Sequence, residues 1–157
     1  FAGTFDPPTN GHWDVIKGAA PLFEKLYIVI ATNTTKKPLL SVESRVKIFK
    51  ELLKNTPYEK TCEVLTDSGL VAALCKKLKV EYLVRGVRSS ADLERELPMS
   101  VANEMLSQGV KTILIPSTNE HTFVSSSLVR EIAALGGNVS PFVPKVVNVH
   151  LSKGKKK

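Results

Sequence analysis

Short strand-like apolar runs and helical stripes alternate along this chain about five times. That order requires right-handed βαβ crossovers. It therefore predicts an α/β fold, a single doubly wound, Rossmann-like domain around a five-stranded parallel sheet. Residues 26–31 form a nearly continuous apolar run, which suits a strand covered on both faces. Residues 62–65, 80–84 and 112–115 read as further strands. Helical spacing predicts a helix over 11–24, where Val15, Ile16, Ala19, Leu22 and Phe23 share a face. Ser41 is a good N-cap for a second helix, with Val42, Val46, Phe49 and Leu53 on its stripe. Leu70, Val71, Leu74 and Leu78 mark a third. A fourth covers 91–107, with Leu93, Leu97, Val101 and Met105 on one side and Pro98 inside. An interior proline costs about 3 kcal/mol, so a kink or restart is expected there. A fifth helix covers 125–135 and stops at Gly136-Gly137. After Pro144 the pattern defines no element, and His150 reads as a surface residue.

Residues 1–150 are expected to form the domain, and 151–157 a solvated, disordered basic tail. The net charge is +7, and Lys153, Lys155, Lys156 and Lys157 supply four of those charges. A nucleic-acid-binding module would need more than this. The sequence offers no aromatic stacking platform and no recognition-helix pattern, so no nucleic-acid partner is expected. The remaining excess suits a polyphosphate ligand. No apolar run is long enough to span a bilayer, and no signal peptide is seen. Cys62 and Cys75 lack metal-ligand spacing and read as small buried hydrophobes in a reducing compartment. Together these features predict a cytoplasmic protein with no membrane partner. The chain starts at Phe1 without methionine, so the first strand is expected to lack its opening residues.

Ligands on doubly wound sheets bind beyond the carboxyl ends of the strands. The informative segments all fall there. Residues 3–12 read Gly3-Thr4-Phe5-Asp6-Pro7-Pro8-Thr9-Asn10-Gly11-His12 and join a strand end to a helix start. Gly3 and Thr4 are small enough for a phosphate to approach the backbone. Pro7, Pro8 and Gly11 are expected to fix a turn with unusual dihedrals. His12 then lies in the first turn of a helix, where unpaired N–H groups and the dipole favour anions. Arg85 ends an apolar strand, so it must pair or meet an anion. Ser125-Ser126-Ser127 opens a helix, either as a second anion site or as an ordinary serine N-cap. Such anion binders suit in-line attack on a phosphate, which needs positioning and charge stabilisation more than a protein nucleophile.

Thr9-Asn10-Gly11-His12 resembles the T/HxGH signature of the nucleotidyltransferase superfamily. The full stretch GTFDPPTNGH is similar to bacterial-type phosphopantetheine adenylyltransferases. Lys36-Lys37-Pro38, Arg85-Gly86-Val87-Arg88 and residues 123–130 (FVSSSLVR) extend the resemblance in order, to about Pro144. The resemblance implies transfer of the adenylyl group of ATP to 4′-phosphopantetheine, giving dephospho-CoA and pyrophosphate. It implies His12 as transition-state stabiliser, with Lys36 and Arg85 also catalytic. Thr4, Phe5, His12, Gly86, Val87, Arg88, Glu96, His121, Thr122, Phe123, Val124, Ser125, Ser126 and Ser127 would bind ATP. Thr4, Lys36, Val71 and Arg85 would bind the acceptor. Mg²⁺ would enter on ATP oxygens and water, since no metal-ligand cluster is seen. A homohexamer and feedback by CoA are further implications. The chain departs from the pattern at Arg95, where tyrosine is usual, at Pro98, and at His121, where another aromatic ring is usual. The alternative is a sister nucleotidyltransferase that adenylylates nicotinamide mononucleotide or uses CTP. Those relatives more often carry histidine where this chain has Thr9.

Overall fold

The structure is a computed structural model that describes residues 1–32 and 38–154. Five parallel strands form: β1 (Ala2–Gly3), β2 (Leu26–Ala31), β3 (Cys62–Asp67), β4 (Tyr82–Val87) and β5 (Lys111–Pro116). Their backbone ladders are two, β1–β2–β3 and β4–β5. Ala2 pairs with Val29 and Gly3 with Ile30, while β2 and β3 pair over all six of their residues. β1 lies against β4, so the strand order reverses between them. The contact there includes a side chain, for Arg85 Nη1 donates to the Ala2 carbonyl at 2.8 Å.

Period-two alternation sorts the strand residues onto two covered faces. Leu26, Ile28 and Ile30 pack with Val84 against α1 (Asn10–Ala19) and α2 (Val42–Leu53). Val29 and Leu83 pack with Ala2 and Val110 against Cys75 of α3 (Val71–Leu78). Arg85 shares the parity of Leu83, and α4 (Ser90–Ser107) also packs on β4 and β5. A satellite cluster joins α2 to α5 (Ser126–Ala134) and α6 (Lys145–Gly154) through Ile48, Val129, Val147 and Leu151.

Several sequence expectations change here. The first helix ends at Ala19, and a 3₁₀ turn at Ala20–Leu22 follows, with Pro21 inside it. α4 runs unbroken through Pro98. The proline removes one N–H without ending the helix, which continues from Ser90 to Ser107. The stripe Leu93, Leu97, Val101 and Met105 faces outward, and Met105 is 76% exposed. Periodicity found the stripe but assigned it to the core; the buried positions of α4 are Asp92 and Ser107. α6 carries helix through residue 154, into the stretch read as a tail, and its Leu151 is buried. His150 is not a free surface residue. It is half-buried, with Nε2 3.5 Å from Glu51.

Gly86 lets α1 approach β4. A Cβ placed on it would lie 2.6 Å from Cγ2 of Val15, a stiff β-branched side chain that has little room to turn. Gly86→Ala is therefore expected to cost about 1–3 kcal/mol, as overpacking does. Combining it with Val15→Ala, which removes the opposing methyls, should recover the overpacking part of that loss. Urea unfolding of the two single variants and the double variant reads the coupling.

Candidate active site

The loop between β1 and α1 is held from behind. Arg45 Nη1, from α2, donates to the Thr4 carbonyl at 2.6 Å. Arg130 Nη1, from α5, donates to the Asp6 carbonyl at 2.6 Å. Ser126 Oγ donates to the Pro7 carbonyl at 2.8 Å. The Asp6 carboxylate is buried and accepts from the backbone N–H groups of Leu39 and Leu40, each at 2.8 Å. The unusual dihedral of this turn falls on Phe5, at φ 49°, and the Asp6–Pro7 peptide is cis. Gly11 needs no special conformation, for it is the second residue of α1 and carries no positive φ. The cost of the Phe5 backbone, about 1–3 kcal/mol, is met by its buried ring. That ring lies 5.0 Å from each of the Phe1, His12 and Phe49 rings.

Thr9 caps α1, and His12 is its third residue. The Thr9 backbone N–H donates to His12 Nδ1 at 3.0 Å, and the His12 N–H donates to Thr9 Oγ1 at 3.3 Å. An Nδ1 that accepts carries no proton, so the neutral ring bears its hydrogen on Nε2. Burial, then the positive charges of Arg88 and Arg85, lower the His12 pKa to about 4. At neutral pH the ring is thus an uncharged Nε2–H donor. An NMR titration should show the His12 ring midpoint near pH 4, and a midpoint near the ordinary 6.5 would contradict this. Because the folded value is depressed, the unfolded chain takes up the proton first. The His12 contribution to stability is whole above pH 6.5 and is lost as pH falls toward 4.

A cavity of about 720 Å³ opens beside this loop, and Thr4, Phe5 and His12 line it. Gly86, Val87, Arg88, Glu96, Val71, Val124 and the three serines line it as well. Arg85 also lines it and is gripped by Glu96. Its Nε and Nη2 donate to the two carboxylate oxygens at 2.8 and 2.7 Å. Pro98 therefore leaves Glu96 within reach of β4. Arg88 donates to Asp92 through Nε and Nη2, at 2.9 and 3.2 Å, and through Nη1 to the Val124 carbonyl at 2.9 Å. Burial would raise the Asp92 pKa, but the Arg88 contacts outweigh it and hold the carboxyl below its usual range. Arg95, 73% exposed, adds a 2.5 Å contact to Asp92.

Ser125 caps α5, accepting from the Leu128 N–H at 3.1 Å, which is the ordinary N-cap arrangement. Ser127 Oγ meets Arg130 Nη2 at 3.0 Å. The three serine hydroxyls thus hold protein groups, and what α5 offers a ligand is its N-terminal N–H groups.

Three expected ATP contacts do not line the cavity: His121, Thr122 and Phe123. His121 Nδ1 lies 2.5 Å from Oδ2 of the buried Asp14, which also accepts from Thr118 Oγ1 at 2.7 Å. Lys17 Nζ contacts the other carboxylate oxygen at 2.8 Å. Burial would raise the Asp14 pKa, but these donors outweigh it and hold the carboxyl at about 2. Phe123 is 87% exposed. Lys36 lies outside the described residues. Sequence reasoning missed Arg45 and Arg130. Arg130 stands three residues after Ser127 on one helix, a spacing that places both on one face; Arg45 had no comparable local signal.

The sequence pattern of the cytidylyltransferase-like family matches residues 1–132. The phosphopantetheine adenylyltransferase of Coxiella burnetii (strain RSA 493 / Nine Mile phase I) is 39% identical over 157 residues, spanning 100% of this chain and 96% of that one. The phosphopantetheine adenylyltransferase of Actinobacillus succinogenes is 40% identical over 156 residues, 99% of this chain and 95% of that one. In fold, the chain is similar to Plasmodium falciparum nicotinic acid mononucleotide adenylyltransferase complexed with APC. That match has a TM-score of 0.73 at 16% identity and covers 99% of this chain and 94% of the other.

Proposed function

The chain belongs to the phosphopantetheine adenylyltransferases of the cytidylyltransferase-like family, and from that premise we propose that it transfers the adenylyl group of ATP to 4′-phosphopantetheine. The observation that carries this reading is convergence. The neutral His12, Arg85, Arg88 and the start of α5 border one cavity beyond the carboxyl ends of β1 and β4.

An oxygen of the acceptor phosphate attacks the α-phosphorus in line. A new P–O bond forms as the bond to the bridging oxygen breaks, and its electron pair leaves with pyrophosphate. Products are dephospho-CoA and pyrophosphate, and no protein nucleophile takes part. His12 donates from Nε2 to the α-phosphoryl oxygens as their charge grows. Arg85 offers its charge to the acceptor phosphate, and Glu96 fixes the plane of its guanidinium. Thr4 serves both substrates, Lys36 adds a further phosphate contact, and Val71 lines the path of the pantetheine arm. Phe5, Gly86, Val87, Arg88 and residues 124–127 hold ATP.

Asp6, Asp92 and Glu96 on the cavity wall are each engaged by N–H groups or arginines. Mg²⁺ would then be carried by nucleotide oxygens and water, where it neutralises the triphosphate. CoA joins both product halves in one molecule and suits the same cavity as a feedback ligand. The outward apolar stripe of α4 supports assembly with further copies of the chain, as a homohexamer. Light scattering should give the mass of six protomers. No helix among the described residues is long and apolar enough to cross a membrane. Cytoplasmic residence accords with Cys62 and Cys75 as free, buried thiols, and burial raises the Cys62 pKa to about 11.

Pyrophosphate release with ATP and 4′-phosphopantetheine tests the assignment, against parallel reactions with nicotinamide mononucleotide and with CTP. No release with the pantetheine acceptor overturns it, and turnover with either alternative replaces it.

A further inference from the structure

His121, Thr122 and Phe123 stand back from the cavity, yet Val124 and Ser125, directly after them, line it. The reason lies on α1. Asp14 stands two residues beyond His12 and is 5% exposed. Its Oδ2 takes two donors from the stretch between β5 and α5, Thr118 Oγ1 at 2.7 Å and His121 Nδ1 at 2.5 Å. Its Oδ1 meets the half-exposed Lys17. These donors hold the carboxyl at about 2, so it is ionised and can only accept. His121 Nδ1 must then carry hydrogen, the reverse of His12, whose Nδ1 accepts. Burying a carboxylate is costly unless partners compensate it, and here two of its three partners come from one loop. From His121 a run of hydrogen bonds leads to the cavity. The Val124 N–H donates to the His121 carbonyl at 3.1 Å, and the Val124 carbonyl accepts from Arg88 Nη1 at 2.9 Å. The Thr118 carbonyl closes the turn by accepting from the His121 N–H at 3.0 Å.

We propose that Asp14 is a positioning residue for ATP: by clasping Thr118 and His121 it fixes the Val124 carbonyl, and through that carbonyl the guanidinium of Arg88, at the nucleotide end of the cavity. This rests on the adenylyl-transfer reading above. Asp14 itself touches no substrate. Apart from one 3₁₀ turn, the backbone from Thr118 to Val124 is irregular. Such backbone keeps a single shape only when groups outside it supply partners. Asp14 supplies them from a helix that already carries His12. One helix therefore sets two positions. Its third residue places the donor for the α-phosphoryl group, and its fifth places the wall against which the rest of the nucleotide lies. At position 121 the ring acts as a donor to a carboxylate and not as a stacking face. The acceptor meets Arg85, whose partners are Glu96 and the Ala2 carbonyl, so this clasp does not hold the acceptor end.

Steady-state kinetics of the full chain with both substrates varied tests this, beside calorimetric titration with α,β-methylene ATP, which needs no turnover. His121→Phe keeps a ring and loses the donor. Asp14→Asn keeps the shape and loses the charge. In both, the KM for ATP and the Kd of the analogue are expected to rise about fivefold or more, with the KM for 4′-phosphopantetheine within about twofold. His121→Asn returns an N–H close to the place of Nδ1 and should recover most of the loss. Lys17→Met removes a donor to the same carboxylate that does not belong to the loop, and should leave the affinity for ATP unchanged. His121→Phe supplies a folded variant even where Asp14→Asn does not fold. A merely structural role would lower the amount of active protein, and so kcat alone; unchanged KM and analogue affinity in His121→Phe overturn the proposal. An equal rise in both KM values overturns it, as does an equal loss in Lys17→Met. In a nitrogen-15 correlation spectrum His121 Nδ1 should carry hydrogen while His12 Nδ1 does not, and a bare Nδ1 on His121 also overturns it. Weaker analogue binding in His121→Phe, in a chain that makes no dephospho-CoA, would remove the reaction assignment and leave the positioning role standing.

Discussion

His12→Ala is expected to lower kcat about 10²–10³-fold while the KM for ATP stays within about twofold. The reasoning starts from the tautomer. Nδ1 accepts the Thr9 N–H, so Nε2 is the donor, and the depressed pKa keeps the ring neutral at working pH. A neutral donor gains little from the α-phosphoryl group in its ground state. It gains more from the charge that builds on the α-phosphoryl oxygens during attack. Steady-state kinetics with both substrates varied will separate the two parameters. Equal losses in kcat and in ATP binding would give His12 a ground-state role instead. Because His12 also completes the Thr9 cap, a melting curve of the variant should show a loss of about 1 kcal/mol.

Arg85→Ala is expected to lower kcat/KM for 4′-phosphopantetheine about 10²–10³-fold, and also to destabilise the fold by about 1–3 kcal/mol. Two losses combine in it. The acceptor phosphate loses its cation, and Glu96, only 15% exposed, loses the partner of both its oxygens. Adding Glu96→Gln separates them. The double variant removes the uncompensated carboxylate, so most of the stability should return. Activity should not return, since the cation is still missing. Recovery of activity in the double variant would mean that Arg85 serves only as a structural partner for Glu96. The Ala2 carbonyl also loses its donor, so stability should fall short of wild type in both variants.

How far the sequence reveals this protein depends on whether the information is local. Residues 26–31 were readable as a strand because both faces of β2 are covered, which leaves a continuous apolar run. Ser41 was readable because an N-cap acts within three residues, and it accepts from Ser44. The position of His12 followed from the same local logic. The apolar stripe of α4 was visible, but periodicity cannot say whether a stripe meets a core or faces outward. α6 was missed because Val147 and Leu151 sit among Asn148, Ser152 and lysines, and only packing against α2 gives that face a purpose. Arg45 reads as a solvated helix residue until α2 is seen to back the β1–α1 loop. His121 was expected near the nucleotide, but Asp14, more than a hundred residues earlier, holds its ring.

The grip on the loop from Thr4 to Pro7 has a consequence for how ligands are received. Three of its carbonyls are held by side chains from two different helices, and its one carboxylate is held by a third stretch of chain. Ordering backbone costs about 1–2 kcal/mol per residue in conformational entropy. Here that entropy is surrendered when the chain folds, so little of it remains to be subtracted from ligand affinity. The shape that a phosphate meets is set in advance by residues that the phosphate need not touch.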